Sequence, residues 1–202
     1  MSGPAAGPRA RIARFGADAR GVAALEFAMI LPLLVTLYFG LSELVRAVDN
    51  SRKVTLFARA VADLSGRTNN ADMTPILAAA GAILQPFNAG DAQVVISALG
   101  VENVNGALYG GVCSSYPRNA RPVLQIAGTG DLPAVPATYL YDGARYILAE
   151  VTMPYTPILG SKLYRWIFGT QGIVFKRQIA WAQRVDNSEI VMPGGAKCPV
   201  FN

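Results

Sequence analysis

Glu26 is the residue whose type and position first indicate chemistry, because it is a carboxylate inside a long apolar run. From Val22 to Leu41 the chain reads VAALEFAMILPLLVTLYFGL, and residues 27–42 carry no charge. A carboxylate in such a run is costly unless it is paired or protonated. Glu26 therefore predicts either a position at the level of lipid headgroups or a partner cation.

A cut after Gly21 would create such a cation. Val22 would become the amino terminus, and Glu26 would be the fifth residue, four positions from the new amine. The ammonium could lie in the same helix or come from an adjacent subunit. Since a buried polar pair can specify the register of an assembly, we hypothesise that Glu26 has an assembly role.

Few other residues suggest chemistry. Histidine is absent, which excludes Ser-His-Asp and Cys-His catalysis and His-ligated metals. Cys113 and Cys198 both follow the apolar run. Outside the cytoplasm a disulfide is their simplest interpretation, and closing so long a loop would contribute roughly 4–5 kcal/mol in the chain-entropy model. Two unrelated buried thiols are the alternative. We expect no enzyme activity, no metal, no cofactor and no small-molecule substrate.

Composition and charge locate the unusual part of the chain. Of the 202 residues, 52% are hydrophobic and only 15% are charged, and the apolar excess lies between Gly21 and Val45. The formal net charge is +5, and removal of residues 1–21 would leave +2. The basic residues thus flank an apolar run rather than a nucleic-acid motif, so we expect no nucleic-acid binding. A basic leader is expected to stay in the cytoplasm, facing anionic lipid.

The apolar run has the length of a membrane span. Twenty helical residues reach about 30 Å, the thickness of the hydrocarbon core. A secretory signal has a shorter apolar core and a cleavage site after it, whereas residues 42–48 lack turn residues and continue the helix. We therefore predict a transmembrane helix over 22–45. A secreted protein cut near residue 42 or later is the rival. Pro32 predicts a kink, either a flexible stem or a tolerated bend.

The start of this segment resembles a known family. The residues RGVAALEFA at 20–28, followed by LPLL at 31–34, resemble the beginning of TadE-like minor pilins, the pseudopilins of tight-adherence pili. In that family a prepilin peptidase, a membrane aspartyl protease, cuts after the glycine of a G-x-x-x-x-E motif. Gly21 and Glu26 match this motif. The resemblance implies processing between Gly21 and Val22, with Glu26, Phe27 and Pro32 taking part in assembly.

The same resemblance implies partners and a location. The partners would be the prepilin peptidase, other pilin-like subunits and the inner-membrane pilus assembly machinery. The protein would be a single-pass protein of the bacterial inner membrane, with a cytoplasmic amino terminus and a periplasmic head, and the mature subunit could be incorporated into the pilus. The alternative is an uncleaved single-span envelope protein with an extracytoplasmic binding domain.

The helical pattern continues past the membrane segment. Val54, Phe57, Val61 and Leu64 form one apolar stripe, which predicts a helix from Val22 to Leu64 ending near Ser65-Gly66. Its amphipathic half would be the spine of a head domain over 46–202. Together these parts predict an α+β fold in which a long N-terminal helix packs on a small antiparallel sheet, the lollipop arrangement of pilins.

The head is predicted to contain a second helix and about four strands. Thr74 and Pro75 suggest an N-cap and a first helical position for a helix over Ile76–Leu84. The expected remaining elements are strands over Gln93–Leu99, Val101–Val104, Tyr146–Met153 and Ile173–Arg184, a short helix over Leu163–Phe168, and a loop over Tyr109–Tyr141. The aromatic residues expected to prefer a core role over a contact surface are Tyr155, Tyr164, Trp166 and Phe168.

Overall fold

The computed structural model describes residues 20–68, 72–158, 161–169, 172–184 and 189–199. The chain divides into two compact units, residues 1–45 and 46–202. In the first unit the described residues are helical from Arg20 onward. The second unit holds a sheet of four antiparallel strands, which confirms the predicted α+β class. Residues 1–19 of the predicted leader lie outside the described residues.

Three α-helices occur in the described chain. They are α1 (Arg20–Ser65), α2 (Met73–Gly81) and α3 (Ser161–Phe168). Helix α1 continues through Pro32 and ends where the sequence predicts. Helix α2 is extended by one 3-10 turn, Ala82–Leu84, before Gln85-Pro86 ends it.

The predicted apolar stripe of α1 is confirmed. Val54, Phe57 and Val61 are buried, and Leu64 is half-buried. Val54, Phe57 and Val61 belong to the main hydrophobic core, where they pack with sheet residues such as Ile96 and Ile147. Each large apolar side chain buried in this way contributes about 1.5–3 kcal/mol. The stripe therefore fixes residues 46–65 on one face of the sheet.

At two helix ends the residues predicted to end or cap the helix act differently in the structure. Asp72, not Thr74, caps α2, and its carboxylate accepts a hydrogen bond of 2.9 Å from the Thr74 backbone N–H. Asp and Thr are both good caps, so the sequence alone does not choose between them. Gly66 after α1 favours close packing, since a Cβ there would lie only 3.0 Å from the Ala182 carbonyl oxygen.

The sheet has the strand order β2-β1-β3-β4. The strands are β1 (Gln93–Val104), β2 (Ala107–Tyr116), β3 (Arg145–Tyr155) and β4 (Ile173–Ala182). The two short strands predicted over 93–99 and 101–104 are one continuous strand. Strand β4 ends at Ala182, two residues before the predicted limit.

The prediction of a loop from Tyr109 is wrong for its first part, because Tyr109–Tyr116 lies in β2. Strands β1 and β2 form a hairpin through Asn105 and Gly106, whose φ angles are 52° and 85°. An Asn-Gly pair between strands is a strong hairpin signal, since both residues tolerate positive φ. Gly110 and Gly111 lie inside this strand, and because glycine has a low strand propensity the composition of the segment did not predict it.

Residues 117–144 contain no α-helix or strand, in agreement with the rest of the predicted loop. The segment is nevertheless packed, because Leu132 is buried and Tyr139 stacks on Tyr146 with ring centroids 4.9 Å apart. It covers the face of the sheet opposite the main core, where Leu99 and Leu148 form a second hydrophobic cluster. The middle parts of β1, β2 and β3 are thus buried on both faces, whereas β4 has no fully buried residue.

The aromatic residues have different environments. Tyr155 is buried, as predicted, and lies edge-on to Phe87 with ring centroids 6.2 Å apart. The prediction of a core role is wrong for Trp166, which is 82% exposed on α3. The side chains of Tyr164 and Phe168 lie outside the described residues.

Asp63 near the end of α1 joins the helix to the region around β4. Its carboxylate accepts hydrogen bonds from Arg67 (2.6 Å) and from the Trp181 indole (3.0 Å), and the Arg184 guanidinium lies 3.2 Å away. The Arg67 hydrogen bond, supported by Trp181 and Arg184, lowers the pKa of Asp63 below its ordinary value of 3.8.

Replacing Asp63 with asparagine is expected to destabilise the second unit by about 1 kcal/mol at pH 7, a modest amount because the carboxylate is partly exposed and screened. A lowered folded-state pKa contributes stability above pH 3.8 that disappears as the pH falls through the folded value. Urea unfolding of the full chain in detergent at pH 7 and pH 3 measures the difference. Asp131→Asn, at an 88% exposed side chain, is the matched control. A deficit of equal size at both pH values would contradict the ionic explanation.

Candidate functional site

The first half of α1 exposes an apolar surface. Its most apolar 18-residue window has a mean hydropathy of 2.1, and no part of that window is buried. Leu25, Met29 and Leu33 are 65%, 76% and 69% exposed. An exposed apolar surface of this extent marks a membrane or protein contact. Among the described residues, α1 is long and apolar enough to cross a membrane.

The residues predicted to direct processing and assembly all lie on this helix. Gly21 and Val22 are in its first turn, and Glu26 follows one turn later. Residues four apart in a helix are neighbours on one face, so Val22 and Glu26 share a face. Phe27 is 60% exposed and Pro32 is also exposed. This arrangement can bring an amine at Val22 close to the Glu26 carboxylate, either within one helix or between adjacent helices.

Cys113 and Cys198 are joined in a disulfide that closes a sequence separation of 85 residues. Cys113 lies on β2 rather than in the predicted loop, and it is 1% exposed. The bond attaches the carboxyl-terminal segment to the sheet. Ile190 and Met192 of that segment are buried in the main core, so the segment completes the core rather than covering its edge.

Three residues that sequence reasoning missed support the disulfide. Gly100 leaves room for it, since a Cβ there would lie 2.8 Å from Cys198 Sγ. The Cys198 backbone N–H donates to Glu189 Oε1 at 2.5 Å, and Arg145 Nε lies 3.8 Å from the same oxygen. A glycine inside a strand signals the close approach of another group. Gly100 within β1 was therefore the sequence feature that could have indicated a group packed against this strand.

The sulfur atoms of Cys113 and Cys198 also lie within 4.8 Å of a Glu189 carboxylate oxygen, a grouping that could hold a metal ion. Both sulfurs are used in the disulfide. Metal binding by cysteine requires the thiolate. The two bonded cysteines therefore stabilise the fold, and neither offers a thiolate as a metal ligand.

A second polar cluster lies beneath the 117–144 segment. Arg121 donates to both carboxylate oxygens of Glu150, at 2.9 and 2.6 Å, and Gln178 Nε2 donates to Oε1 at 3.1 Å. The hydrogen bond to Glu150 raises the pKa of the Arg121 guanidinium above its ordinary value. A bidentate pair of this kind fixes orientation. The cluster attaches the segment to β3, and the alternation of β3 in the sequence gave no sign of this ion pair.

The described features define a class of protein. One apolar helix, consistent with a single-pass membrane anchor, precedes an α+β unit that a disulfide closes. Residues 21–63 match the family model described as TadE-like protein. The match confirms the TadE-like resemblance over these residues, which form a short N-terminal part of the chain. No curated protein and no solved structure matches the chain.

Proposed function

We propose that this chain is the precursor of a minor pilin, or pseudopilin, that takes part in assembling a tight-adherence pilus. A prepilin peptidase cuts it between Gly21 and Val22. The mature helix then associates laterally with other pilin-like helices through apolar packing and a pair between Glu26 and an amino-terminal ammonium. The role is structural, not enzymatic.

One observation carries the proposal: a glutamate lies five residues after a glycine at the start of an exposed apolar helix. A carboxylate there requires a partner, and cutting after Gly21 supplies an amine one turn away. The match to the TadE-like family over residues 21–63 supports this interpretation. The exposed apolar side chains of α1 supply the lateral packing surface.

The proposal also includes an orientation. The four arginines of the leader outnumber its one aspartate, and such an excess favours the cytoplasmic side of the inner membrane. The head then lies in the periplasm, where a disulfide persists. The partners are the peptidase, other pilin-like subunits and the inner-membrane assembly machinery.

The amino terminus of the membrane-extracted protein tests the proposal. We expect Val22 in cells that contain the peptidase and Met1 in cells that lack it. A bulky replacement, Gly21→Phe, is expected to leave Met1 in both, and Gly40→Phe, at a glycine that also has open space around it, serves as the matched control. Met1 in peptidase-containing cells would instead indicate an uncleaved single-span envelope protein with an extracytoplasmic binding domain. A terminus past residue 40 would indicate an ordinary signal peptide.

A further inference from the structure

The connection between β3 and β4 exposes large apolar side chains. Tyr155, the last residue of β3, pairs with Ile173, the first residue of β4, so the connection lies at one end of the sheet. Ile158, Ile173 and Val174 are exposed there. Trp166 of α3, the helix within this connection, is 82% exposed, more than any other large apolar side chain among the described residues. Such a concentration at one end of a unit marks a contact surface.

The same part of the chain is basic. Residues 151–185 include five basic residues and no acidic residue. Lys162 and Arg165 lie on α3, and both are exposed. Residues three and four apart share a helix face, so Lys162 lies on the same face as Arg165 and Trp166. Cations beside an exposed tryptophan are typical of a helix that lies on an anionic membrane surface.

Arg46 links this end of the second unit to the membrane. It is exposed, it is the first residue of the unit, and it directly follows Val45, where the predicted span ends. Arg46 also lines a pocket together with Tyr155 and Ile158. Because consecutive Cα atoms are only about 3.8 Å apart, a span that ends at Val45 leaves Arg46 and the residues around this pocket close to the lipid headgroups.

Acidic side chains near Arg46 do not cancel the positive charge. Asp49 is paired with Lys53, with 3.2 Å between the carboxylate oxygen and the ammonium nitrogen. Asp91 lines the same pocket as Arg46 and accepts a hydrogen bond of 3.1 Å from Asn88. One carboxylate therefore stands against the three exposed cations at positions 46, 162 and 165. The remaining positive charge is complementary to anionic lipid.

We propose that this end of the second unit docks on the surface of an anionic phospholipid membrane. The Trp166 indole lies at the level of the headgroups, Ile158 packs at the acyl boundary, and Lys162 and Arg165 contact lipid phosphates. The covalent link through Arg46 keeps the surface at a high effective concentration near the bilayer, so weak contacts are sufficient. That link favours lipid over an acidic protein as the occupant.

The inference rests on the membrane anchor and is independent of processing at Gly21. The test uses the full chain in nanodiscs of phosphatidylglycerol with brominated acyl chains, which quench tryptophan fluorescence on contact. Trp166→Phe identifies the Trp166 signal by difference, and Trp181, whose indole donates to Asp63, remains as the reference. We expect the Trp166 emission to be quenched in brominated phosphatidylglycerol and much less in brominated phosphatidylcholine.

A pair of double variants separates a specific surface from general charge attraction. Lys162→Glu/Arg165→Glu is expected to lower the ratio of docked to undocked protein at least about tenfold, because each cation near an anionic surface adds to the attraction. Arg118→Glu/Lys197→Glu makes the same change in charge at exposed positions outside the β3–β4 connection, and its quenching is expected to match that of the wild type.

Three outcomes would overturn the proposal. The first is Trp166 emission that brominated phosphatidylglycerol does not quench. The second is an equal loss of quenching in the two double variants, which would indicate attraction by net charge alone. The third is a Trp166 that iodide reaches in nanodiscs but not in sheared pili, because that result would assign the surface to a neighbouring protein subunit.

Discussion

Replacing Glu26 with leucine is expected to leave the protein in the membrane and to abolish its incorporation into pili. The substitution makes the span more apolar, so insertion should not suffer. In the proposed Glu26–ammonium pair, loss of one buried partner would cost about 3–5 kcal/mol, which would weaken association between neighbouring helices at least about a hundredfold. Membrane fractionation and immunodetection in sheared pili measure the two effects separately.

Glu43→Leu is the matched control, because it removes a glutamate from the same helix farther from Val22. Its incorporation into pili is expected to stay close to that of the wild type. Glu26→Gln keeps the size of the side chain and removes its charge, so it is expected to behave like Glu26→Leu if the ion pair matters. Normal piliation by Glu26→Leu would remove Glu26 from the assembly mechanism.

Removing the disulfide is expected to destabilise the second unit by about 4–5 kcal/mol in the chain-entropy model, since the bond closes a long loop. The double variant Cys113→Ser/Cys198→Ser tests this. The released segment also carries Ile190 and Met192, which are each 1% exposed in the core. Urea unfolding of the full chain in detergent, monitored by tryptophan fluorescence, measures the loss.

Reduction separates the bond from the substitutions. Wild-type protein treated with a thiol reductant is expected to unfold at the same urea concentration as the double variant, while the double variant should not respond to the reductant. Met192→Ala in the oxidised protein removes the core contact but keeps the bond, and it is expected to cost about 2–5 kcal/mol. A double variant as stable as the wild type would show that tail packing alone holds the segment.

The accuracy of the sequence predictions depended on the range of the interactions involved. The stripe Val54, Phe57 and Val61 was predicted correctly, because helical periodicity is a local property that burial then follows. Strand β3 was predicted within two residues at its carboxyl end, because the alternation of a strand is also a local pattern. Strand β2 was missed, because its glycines and small residues have low strand propensity and are stabilised only by pairing with β1.

The sequence by itself determined the apolar helix, the Gly21–Glu26 spacing, the α+β class and the choice of the two cysteines as a pair. These follow from composition, local periodicity and the small number of cysteines. Only the tertiary structure decided that β1, β2 and β3 are buried on both faces and that Arg121 pairs with Glu150. These features join residues far apart in the chain, and no local pattern encodes which distant side chain a polar group will meet.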